Sequence, residues 1–219
     1  MICPLCKSNQ QKLFSDLKDL EYHCGESFNF CKCTNCSFVW LSPTPSQESL
    51  NSFYPSNYHG FNTQSNYVIK ILYKLVNYFR IKKYSSFLKN PNSNLLDVGC
   101  ADANYFDTLK KISPHVHCTG IENNQEIVSK AREYGRNVTL GTIDDLDQSL
   151  KYDLIIMNNL IEHVRNPIQE LRKAGSLLKS DGVIFIETPN TDSWDFNLFK
   201  KYWGGLHTPR HTFLFNPRS

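Results

Sequence analysis

The stretch from Asn94 to Phe106, NLLDVGCADANYF, decides the fold of this chain. Its first five residues include three branched apolar side chains and predict a buried β-strand, whereas the residues from Asn104 onward predict a helix. A strand that turns into a helix at a glycine is typical of the first unit of a nucleotide-binding parallel sheet. A dinucleotide-binding turn has three glycines, and here only Gly99 is present, because alanines stand at 101 and 103.

The segments after this stretch alternate between strand and helix patterns. Strands are predicted at HVHCTGIE, NVTLGT, YDLIIMNN and GVIFIETPN, and helices at NYFDTLKKI, NQEIVSKAREYG and NPIQELRKAGSLLK. Such alternation implies right-handed crossovers and a parallel sheet covered on both faces. We therefore expect an α/β fold with a Rossmann-like, mostly parallel sheet.

A further helix is predicted from Asn66 onward, before the first strand of this sheet. Its apolar residues recur at intervals of three, four and seven, with lysines among them. A basic amphipathic helix can lie on a membrane surface, but packing against its own domain is the commoner outcome. The apolar positions are Val68, Leu72, Leu75, Val76 and Phe79.

Length and composition limit the classes of protein that the chain can belong to. With 219 residues it can form one domain, or a small module followed by a medium one. A net charge of +3 is far from the dense positive field of nonspecific nucleic-acid binders. There is neither a leader-like N-terminus nor an apolar run that could span a membrane. We expect a cytoplasmic protein whose cysteines serve metal binding or core packing.

The N-terminal cysteines predict a structural zinc site. Cys3 with Cys6 and Cys33 with Cys36 form two CxxC pairs separated by 26 residues. Two such turns bring four thiolates into the tetrahedron that Zn²⁺ prefers, and the filled coordination shell leaves no position for water activation. Polar neighbours such as Lys7 argue against a buried core of cysteines. Spare candidate ligands are Cys31, which could take the place of Cys33, and Cys24 and His23.

The carboxylate of Asp97 indicates which cofactor the sheet binds. A negative charge at the end of the first strand repels a pyrophosphate, which argues against a dinucleotide-dependent oxidoreductase, but it suits S-adenosylmethionine (SAM), whose sulfonium and ammonium are positive. Glu122 ends the second strand, where a carboxylate can accept both hydroxyls of a ribose. Thr142 and Ile143 follow the third strand, from which an adenine can be contacted.

Five segments resemble, in order, the motifs of class I SAM-dependent methyltransferases: LLDVGCADA, GIENN, LGTIDDL, YDLIIMNNLIEHVRNP and LLKSDGVIFIETPN. CPLC and CTNC, followed by WLSPTPSQESLNSFYPSNY, are similar to the zinc-ribbon front end of a subgroup found among sugar, lipid and quinone methylating enzymes. The resemblance covers Cys3 to about Phe215. It implies a zinc ribbon over residues 1–42, a connector over 43–63 and a SAM-dependent methyltransferase domain over 64–219.

The resemblance also implies a cofactor pocket made by residues that follow four successive strands. These are Asp97, Gly99 and Cys100 for the methionine part of SAM, Glu122 and Asn123 for the ribose, Thr142 and Ile143 for the adenine, and Asn158 and Asn159 for the sulfonium side.

The chain departs from the family pattern in two places. The family usually has GCGxG where this chain has alanines at 101 and 103, and alanine costs roughly 1 kcal/mol or more if the backbone there is left-handed. In addition, two antiparallel edge strands normally follow GVIFIETPN, and they are absent before the end of the chain at FNPRS. We expect either a fragment or a sheet edge that a partner chain covers.

Methyl transfer from a sulfonium requires alignment of donor and acceptor, and a base if the acceptor is a hydroxyl or a carbon acid. His163, which follows the fourth strand, is one candidate base. His207 and His211 are the others, in a segment that resembles the substrate-facing loop of the family. A structural role remains the alternative for each histidine.

Two further features suggest roles near the acceptor. Glu162 and His163 resemble the pair that holds a divalent ion in quinone O-methyltransferases, but Asn159 replaces a further glutamate of that family, so this metal is not predicted. Tyr54 and Tyr58 either form a lid over the cofactor cleft, as in the subgroup, or pack on the sheet domain.

We therefore predict an enzyme that transfers a methyl group from SAM to a small-molecule, sugar or lipid-linked acceptor. One alternative is an rRNA methyltransferase, but the segment from Met1 to Trp40 has four lysines and four acidic residues and so lacks the basic surface that RNA recognition favours. The other alternative is a noncatalytic zinc-ribbon scaffold.

Overall fold

The computed structural model describes residues 2–23, 26–54 and 67–219, which fall into two compact units. We call the first the ribbon unit; it consists of Met1–Gly60, Asn159–Ile168 and Thr188–Ser219. The second, the sheet unit, consists of Phe61–Asn158 and Gln169–Glu187. The ribbon unit thus draws on three separate stretches of chain, and the division at residues 42 and 63 stays a prediction.

The elements follow the alternation that the sequence predicts. In chain order they are β1 (Gln10–Lys18), β2 (Ser27–Cys33), β3 (Val39–Leu41), α1 (Gln47–Ser52), α2 (Tyr67–Phe87), β4 (Asn94–Val98), α3 (Phe106–Ile112), β5 (His117–Glu122), α4 (Gln125–Glu133), β6 (Val138–Leu140), β7 (Tyr152–Asn158), α5 (Pro167–Ser176), β8 (Leu178–Glu187), α6 (Trp194–Phe199) and β9 (Phe213–Leu214).

The sheet unit contains a five-stranded parallel sheet in the order β6-β5-β4-β7-β8. This confirms the predicted α/β class and places the strand NLLDV at the centre of the sheet. Strand β7 is buried from Tyr152 to Met157, as expected for a parallel strand covered on both faces. Among the described residues β8 pairs only with β7, so it is an edge strand, as predicted.

Strand β8 begins earlier than the sequence predicts. Its first residue is Leu178 and not Gly182, because Leu178 pairs with Tyr152 before a register shift, after which Val183 pairs with Leu154. Gly182 lies within this irregular pairing, where the neighbouring backbone comes close. A Cβ at this position would lie 2.7 Å from the carbonyl O of Tyr152, so a larger residue would clash there.

The C-terminal part of α2 packs in the sheet unit, but through a face that the sequence did not predict. Ile81 and Tyr84 are buried in the core of the sheet unit, whereas the stripe Leu72, Leu75, Val76 and Phe79 is exposed. The two sets lie on roughly opposite sides of the helix, because each residue advances about 100° around its axis. Among the described residues, no helix combines the length and apolarity needed to cross a bilayer.

The ribbon unit contains a four-stranded antiparallel sheet in the order β1-β2-β3-β9. Phe213 of β9 pairs with Trp40 of β3, and both pack beside the ring of Phe38, which stacks on Trp40 at 5.9 Å and on Phe213 at 5.8 Å between centroids. The sequence pattern did not predict strand β9. The segment WGGLHTPRHTFLF therefore ends as part of the ribbon sheet.

Candidate cofactor site and histidine cluster

The carboxyl ends of β4, β5 and β6 lie side by side at one edge of the parallel sheet. The N–H of Gly99 donates to the carbonyl O of Ile121 at 2.8 Å, and the N–H of Gly141 donates to that of Glu122 at 2.9 Å. Strand β7, which ends at Asn158, flanks β4 on the other side. The structure therefore brings together the strand ends that the sequence assigns to the cofactor, at the position where parallel sheets bind ligands.

The carboxylate of Asp97 is buried there, with 3% of the residue exposed. The hydroxyl of Tyr105 donates to Oδ2 at 2.9 Å, whereas Oδ1 accepts no hydrogen bond from the residues that the structure describes. Burial, and then the negative charge of Glu122, raise the pKa of Asp97 to about 7. An unpaired buried carboxylate oxygen is costly, and a cationic group placed against it would offset that cost. This environment fits the ammonium of SAM.

Glu122 is held by the turns around it. Its Oε2 accepts the N–H of Ala101 at 3.1 Å, and its Oε1 accepts those of Asn123 at 2.9 Å and Asn124 at 3.0 Å. A carboxylate has about four acceptor positions, so about one remains for a ligand. For Glu122 to accept both ribose hydroxyls, as predicted, one of its carboxylate oxygens must accept a ribose hydroxyl at a position that a backbone N–H now occupies.

Both alanines that replace the family's glycines have a left-handed backbone. The φ angle is 49° at Ala101 and 50° at Ala103, and Gly99 has 71°. An L-residue in this region costs roughly 1–2 kcal/mol. The backbone at both alanines is therefore left-handed, which is the case in which the sequence analysis expects alanine to be less stable than glycine.

Two of the predicted cofactor residues turn their side chains away from solvent. Cys100 packs in the core, where a Cβ on Gly120 would lie 2.5 Å from its Sγ. Ile143 is buried as well, next to Thr142, whose N–H and hydroxyl both donate to the carboxylate of Asp145.

Four cysteine sulfurs converge at the end of the ribbon sheet. The Sγ atoms of Cys3 and Cys36 are 3.8 Å apart, those of Cys6 and Cys33 are 3.4 Å apart, and those of Cys6 and Cys36 are 3.6 Å apart. Thiolates on one tetrahedral Zn²⁺ lie about 3.8 Å from one another, given Zn–S bonds of about 2.3 Å. The arrangement thus fits zinc, and among the described residues it forms a metal-sized group without Cys31. Cys24 lies outside the described residues.

The three histidines that the sequence offers as bases form one cluster in the ribbon unit. Ring centroids of His163 and His211 are 4.6 Å apart, those of His207 and His211 are 4.8 Å apart, and those of His163 and His207 are 6.3 Å apart. Their role as bases stays a prediction.

Main-chain hydrogen bonds tie the two parts of this cluster together. The carbonyl O of Glu162 accepts the N–H of Thr212 at 2.9 Å and its hydroxyl at 3.2 Å. The carbonyl O of Arg210 lies 3.2 Å from Nδ1 of His163. Residues from Asn159–Ile168 and Thr188–Ser219 are thereby fixed against each other within the unit.

Burial governs the protonation of the cluster. It lowers the pKa of His163 to about 4 and that of His211 to about 2, and it raises the pKa of Glu162 to about 7. Burial, followed by the charge of Arg210, also lowers the pKa of His207. A general base works best with a pKa near the working pH. His163 and His211 are therefore weak bases at neutral pH in this environment.

Sequence reasoning missed the partners of several of these residues. The hydroxyl of Tyr54 forms a hydrogen bond with Nδ1 of His163 at 2.9 Å, within the ribbon unit. Tyr58, the other tyrosine predicted to form a lid, lies outside the described residues. Tyr105, which holds Asp97, sits in the helix pattern without a distinguishing signal. The contact of Tyr54 with His163 links positions 109 residues apart, and a single sequence has no pattern that records such a contact.

The five-stranded parallel sheet has the Rossmann-like fold of class I methyltransferases. Residues 73–219, more than half of the chain, match the family described as a methyltransferase domain. The chain belongs to this family, which confirms the resemblance identified from the sequence.

Curated relatives match about half of this chain. The ubiquinone biosynthesis O-methyltransferase of Actinobacillus pleuropneumoniae serotype 7 is 32% identical over 108 residues, which are 44% of this chain and 45% of that protein. The mitochondrial enzyme of the same name from Candida albicans is 25% identical over 123 residues, 51% of this chain and 38% of that protein. The chain thus spans about half or less of the length of these relatives.

Solved structures share the fold at low sequence identity. The plantazolicin methyltransferase BpumL, determined with S-adenosylhomocysteine (SAH), has a TM-score of 0.52 and 20% identity and covers 79% of this chain and 66% of its own. Coclaurine N-methyltransferase, also with SAH, has a TM-score of 0.50 and 19% identity over 79% of this chain and 55% of its own. At these identities the likeness concerns the fold.

Proposed function

We propose that the protein transfers a methyl group from SAM to a small-molecule acceptor. The observation that carries this proposal is the buried Asp97 carboxylate, whose Oδ1 accepts no hydrogen bond from the described residues and which lies at the central strand end. A positive ligand would remove the cost of that unpaired oxygen, whereas a pyrophosphate would add to it. Membership of the methyltransferase-domain family supports the same cofactor.

The proposed cofactor contacts follow the strand ends. Asp97 faces the ammonium, the Gly99 turn admits the methionine part, and Glu122 accepts a ribose hydroxyl. The adenine contacts come from the backbone at Thr142 and Ile143. The residues proposed to complete the pocket are Cys100, through its backbone, and Asn123, Asn158 and Asn159.

For the acceptor we propose a small molecule, with sugar and lipid-linked compounds as the favoured classes. The curated relatives with ubiquinone in their names support a small acceptor. An acceptor hydroxyl or carbon acid needs a base, and His163, His207 and His211 remain the proposed candidates. Nothing in the described residues favours RNA as a substrate.

We also propose that Cys3, Cys6, Cys33 and Cys36 hold one structural Zn²⁺. Their sulfur spacing supports this, and a small sheet with a metal at one end gains much of its folding free energy from that metal, on the order of 10 kcal/mol. Four thiolate ligands leave no open position, so the site would stabilise the ribbon without taking part in chemistry. Free thiols at these positions are suited to the reducing cytoplasm, where we propose that the protein works.

Isothermal titration calorimetry with SAM, SAH and NADH tests the cofactor assignment. We expect SAM and SAH to bind and NADH to give no heat. Replacement of the charge in Asp97→Asn should weaken SAM binding at least tenfold, whereas Glu133→Gln, an exposed carboxylate at the end of α4, should leave it unchanged. Binding of NADH in preference to SAM would overturn the proposal, and binding of neither would favour the noncatalytic scaffold.

A further inference from the structure

We propose that helix α2 binds to the surface of a lipid bilayer that contains anionic lipids. The contact is made by its exposed apolar stripe, which consists of Leu72, Leu75, Val76 and Phe79. Between 49% and 67% of each of these residues is exposed, which is far more than a stripe packed on its own domain would show. Of the two outcomes that the sequence allows for a basic amphipathic helix, the structure thus disfavours the commoner one for this stripe.

The stripe faces away from the core of the sheet unit. Ile81 and Tyr84 hold α2 against that core, and they lie on roughly the opposite side of the helix. A rotation of the helix that buried the stripe would therefore expose both of these residues. A surface other than the core of the sheet unit is needed to cover the stripe.

The charge of α2 indicates the chemistry of that surface. The helix contains four lysines and Arg80 but no acidic residue. Because the whole chain has a net charge of only +3, the remainder of the chain is slightly negative, and the positive charge is concentrated in this helix. A basic helix with an apolar face is typical of segments that bind to negatively charged membrane surfaces.

The exposed lysines of α2 are available to an anionic partner. Lys74, Lys82 and Lys83 are exposed, and in the part of the chain that the structure describes none of them forms an ion pair. The ammonium of Lys82 lies 5.4 Å from the ring centroid of Tyr78, and that of Lys83 lies 4.9 Å from the ring centroid of Phe185. Lysines close to a membrane surface are each attracted by the negative potential of anionic lipids.

The positions of the lysines suit the boundary between lipid head groups and acyl chains. Lys82 and Lys83 follow Phe79 by three and four residues, so they lie one turn further along the same side of the helix. The stripe itself extends over about 10 Å of the helix axis. Lysine stems can lie along apolar surface while the ammonium stays at the level of the phosphates. The apolar stripe would then enter the outer part of the acyl region, as interfacial helices do.

Two other partners fit the stripe less well. A second copy of α2 would bring two sets of basic residues together, and like charges across an interface are unfavourable. An acidic protein would satisfy the charge but would also need a groove that matches a convex row of large side chains. A fluid bilayer accommodates such a row without a matching groove, which is why we favour lipid.

Flotation of the purified full-length protein with lipid vesicles tests the inference. We expect it to float with vesicles of phosphatidylcholine mixed with phosphatidylglycerol, and to remain in the dense fraction with phosphatidylcholine alone. Binding to the mixed vesicles should weaken as the salt concentration rises, because salt screens the attraction between lysines and lipid phosphates. Equal binding to both kinds of vesicle, or to neither, would overturn the inference.

Variants of the stripe test the apolar contribution. The double variant Leu75→Ser with Phe79→Ser should bind the mixed vesicles at least about tenfold more weakly, because it removes two large side chains from the contact. Its melting temperature should stay close to that of wild type, because both residues are exposed. Leu150→Ser, which replaces an exposed leucine elsewhere in the sheet unit, is the control and should bind like wild type.

Variants of the lysines test the charge. Lys82→Gln with Lys83→Gln should weaken binding about tenfold and reduce its dependence on salt. Lys110→Gln with Lys111→Gln removes the same charge from exposed positions of α3 and should change neither. Equal effects of the two double variants would show that net charge, and not the α2 surface, determines binding.

Fluorescence shows whether the stripe itself enters the bilayer. In Phe79→Trp, vesicles with brominated acyl chains should quench the added tryptophan fluorescence, and wild type should show less quenching. Absence of this difference would overturn the inference. So would a markedly lower melting temperature of the serine variant, which would show that the stripe is packed within the chain.

The same variants identify the other partners. Binding of polyglutamate without binding of vesicles would indicate an acidic protein surface, and a dimer that the serine variant dissociates in sedimentation equilibrium would indicate a second copy. Either result would overturn the inference. Membrane binding does not depend on the proposed methyl transfer, and SAM titration is a separate measurement. A protein that floats but does not bind SAM would retain this inference and lose the proposed function, and the converse result would do the reverse.

Discussion

The guanidinium of Arg210 forms a two-pronged ion pair with the carboxylate of Asp19, 191 residues away in the chain, with N–O distances of 2.9 and 3.0 Å. Both side chains are buried, and the guanidinium also lies 4.7 Å from the ring centroid of Tyr22. Arg210 stands between His207 and His211, and its Nε donates to Nε2 of His207 at 3.0 Å. The pair therefore fixes the histidine segment against the end of β1.

Removal of one partner from this pair should destabilise the ribbon unit strongly. Asp19→Asn removes the buried, two-pronged partner of Arg210 and leaves only the half-exposed carboxylate of Glu21 at 3.2 Å, for which we expect a loss of up to about 3 kcal/mol in the free energy of unfolding. Urea unfolding checks this value. Asp16→Asn, which replaces an exposed acid in the nearby strand β1, should change it by less than about 0.5 kcal/mol. An equal small effect of both variants would show that the pair contributes little.

The same pair should make the protein sensitive to acid. Burial acts to raise the pKa of Asp19, but the hydrogen bonds from Arg210 outweigh it and hold that pKa well below its usual range. Because the pKa is lower in the folded than in the unfolded state, the stabilisation is complete above about pH 4 and is lost as the pH falls below it. Wild-type stability should fall more steeply than that of Asp19→Asn between about pH 4 and pH 2. Parallel pH profiles of the melting temperature would contradict this.

Asp97 should show the opposite pH dependence. Its pKa is about 7 when folded, against about 3.9 in an unfolded chain, so its folded state is most favoured below about pH 4 and loses stability as the pH rises through 7. Without SAM, Asp97→Asn should match wild type near pH 4 and exceed it at pH 8, by up to about 4 kcal/mol. Thermal melts at both pH values check this. A variant less stable than wild type at pH 8 would show that the carboxylate is compensated in the folded protein.

The turn after β4 should gain stability from glycine. Ala101 has a φ of 49° and is exposed, so Ala101→Gly should stabilise the fold by about 1 kcal/mol. Ala103→Gly should give less, because it also removes a buried methyl group worth about 0.8 kcal/mol. The helical control Ala131→Gly in α4 should be destabilised by about 1 kcal/mol or more. Chemical unfolding of the three variants measures these differences, and destabilisation by Ala101→Gly would mean that the left-handed turn is not strained.

Local patterns in the sequence were sufficient for the sheet unit and for the cysteine pairs. The strand at Asn94–Val98 was predictable because its apolar residues and the glycine after it are adjacent in the chain. The four cysteines were predictable because two short turns set their geometry. In each case, neighbours in sequence determine the feature.

Contacts between distant segments were not predictable in this way. The pairing of Phe213 with Trp40, the ion pair of Asp19 with Arg210 and the approach of His211 to Glu162 leave no periodic signal in one chain. The apolar stripe of α2 was predictable from its periodicity, but its exposure was not. Periodicity indicates which residues share a face of a helix, and it does not indicate whether that face is buried. The histidine cluster therefore needed the three-dimensional structure.

The sulfur distances indicate that Cys33, and not Cys31, is the fourth ligand of the proposed zinc ion. The Sγ of Cys33 lies 3.4 Å from that of Cys6 and accepts the N–H groups of Asn35 at 3.3 Å and Cys36 at 3.4 Å, as a thiolate ligand would. We expect Cys33→Ser to lose the zinc of the four-cysteine site and to change the fluorescence of Trp40, whose ring packs in the same cluster. Cys31→Ser should keep that zinc, because Cys31 is not part of the metal-sized group. Elemental analysis of the purified variants measures the zinc, and its loss in Cys31→Ser with retention in Cys33→Ser would reverse the assignment.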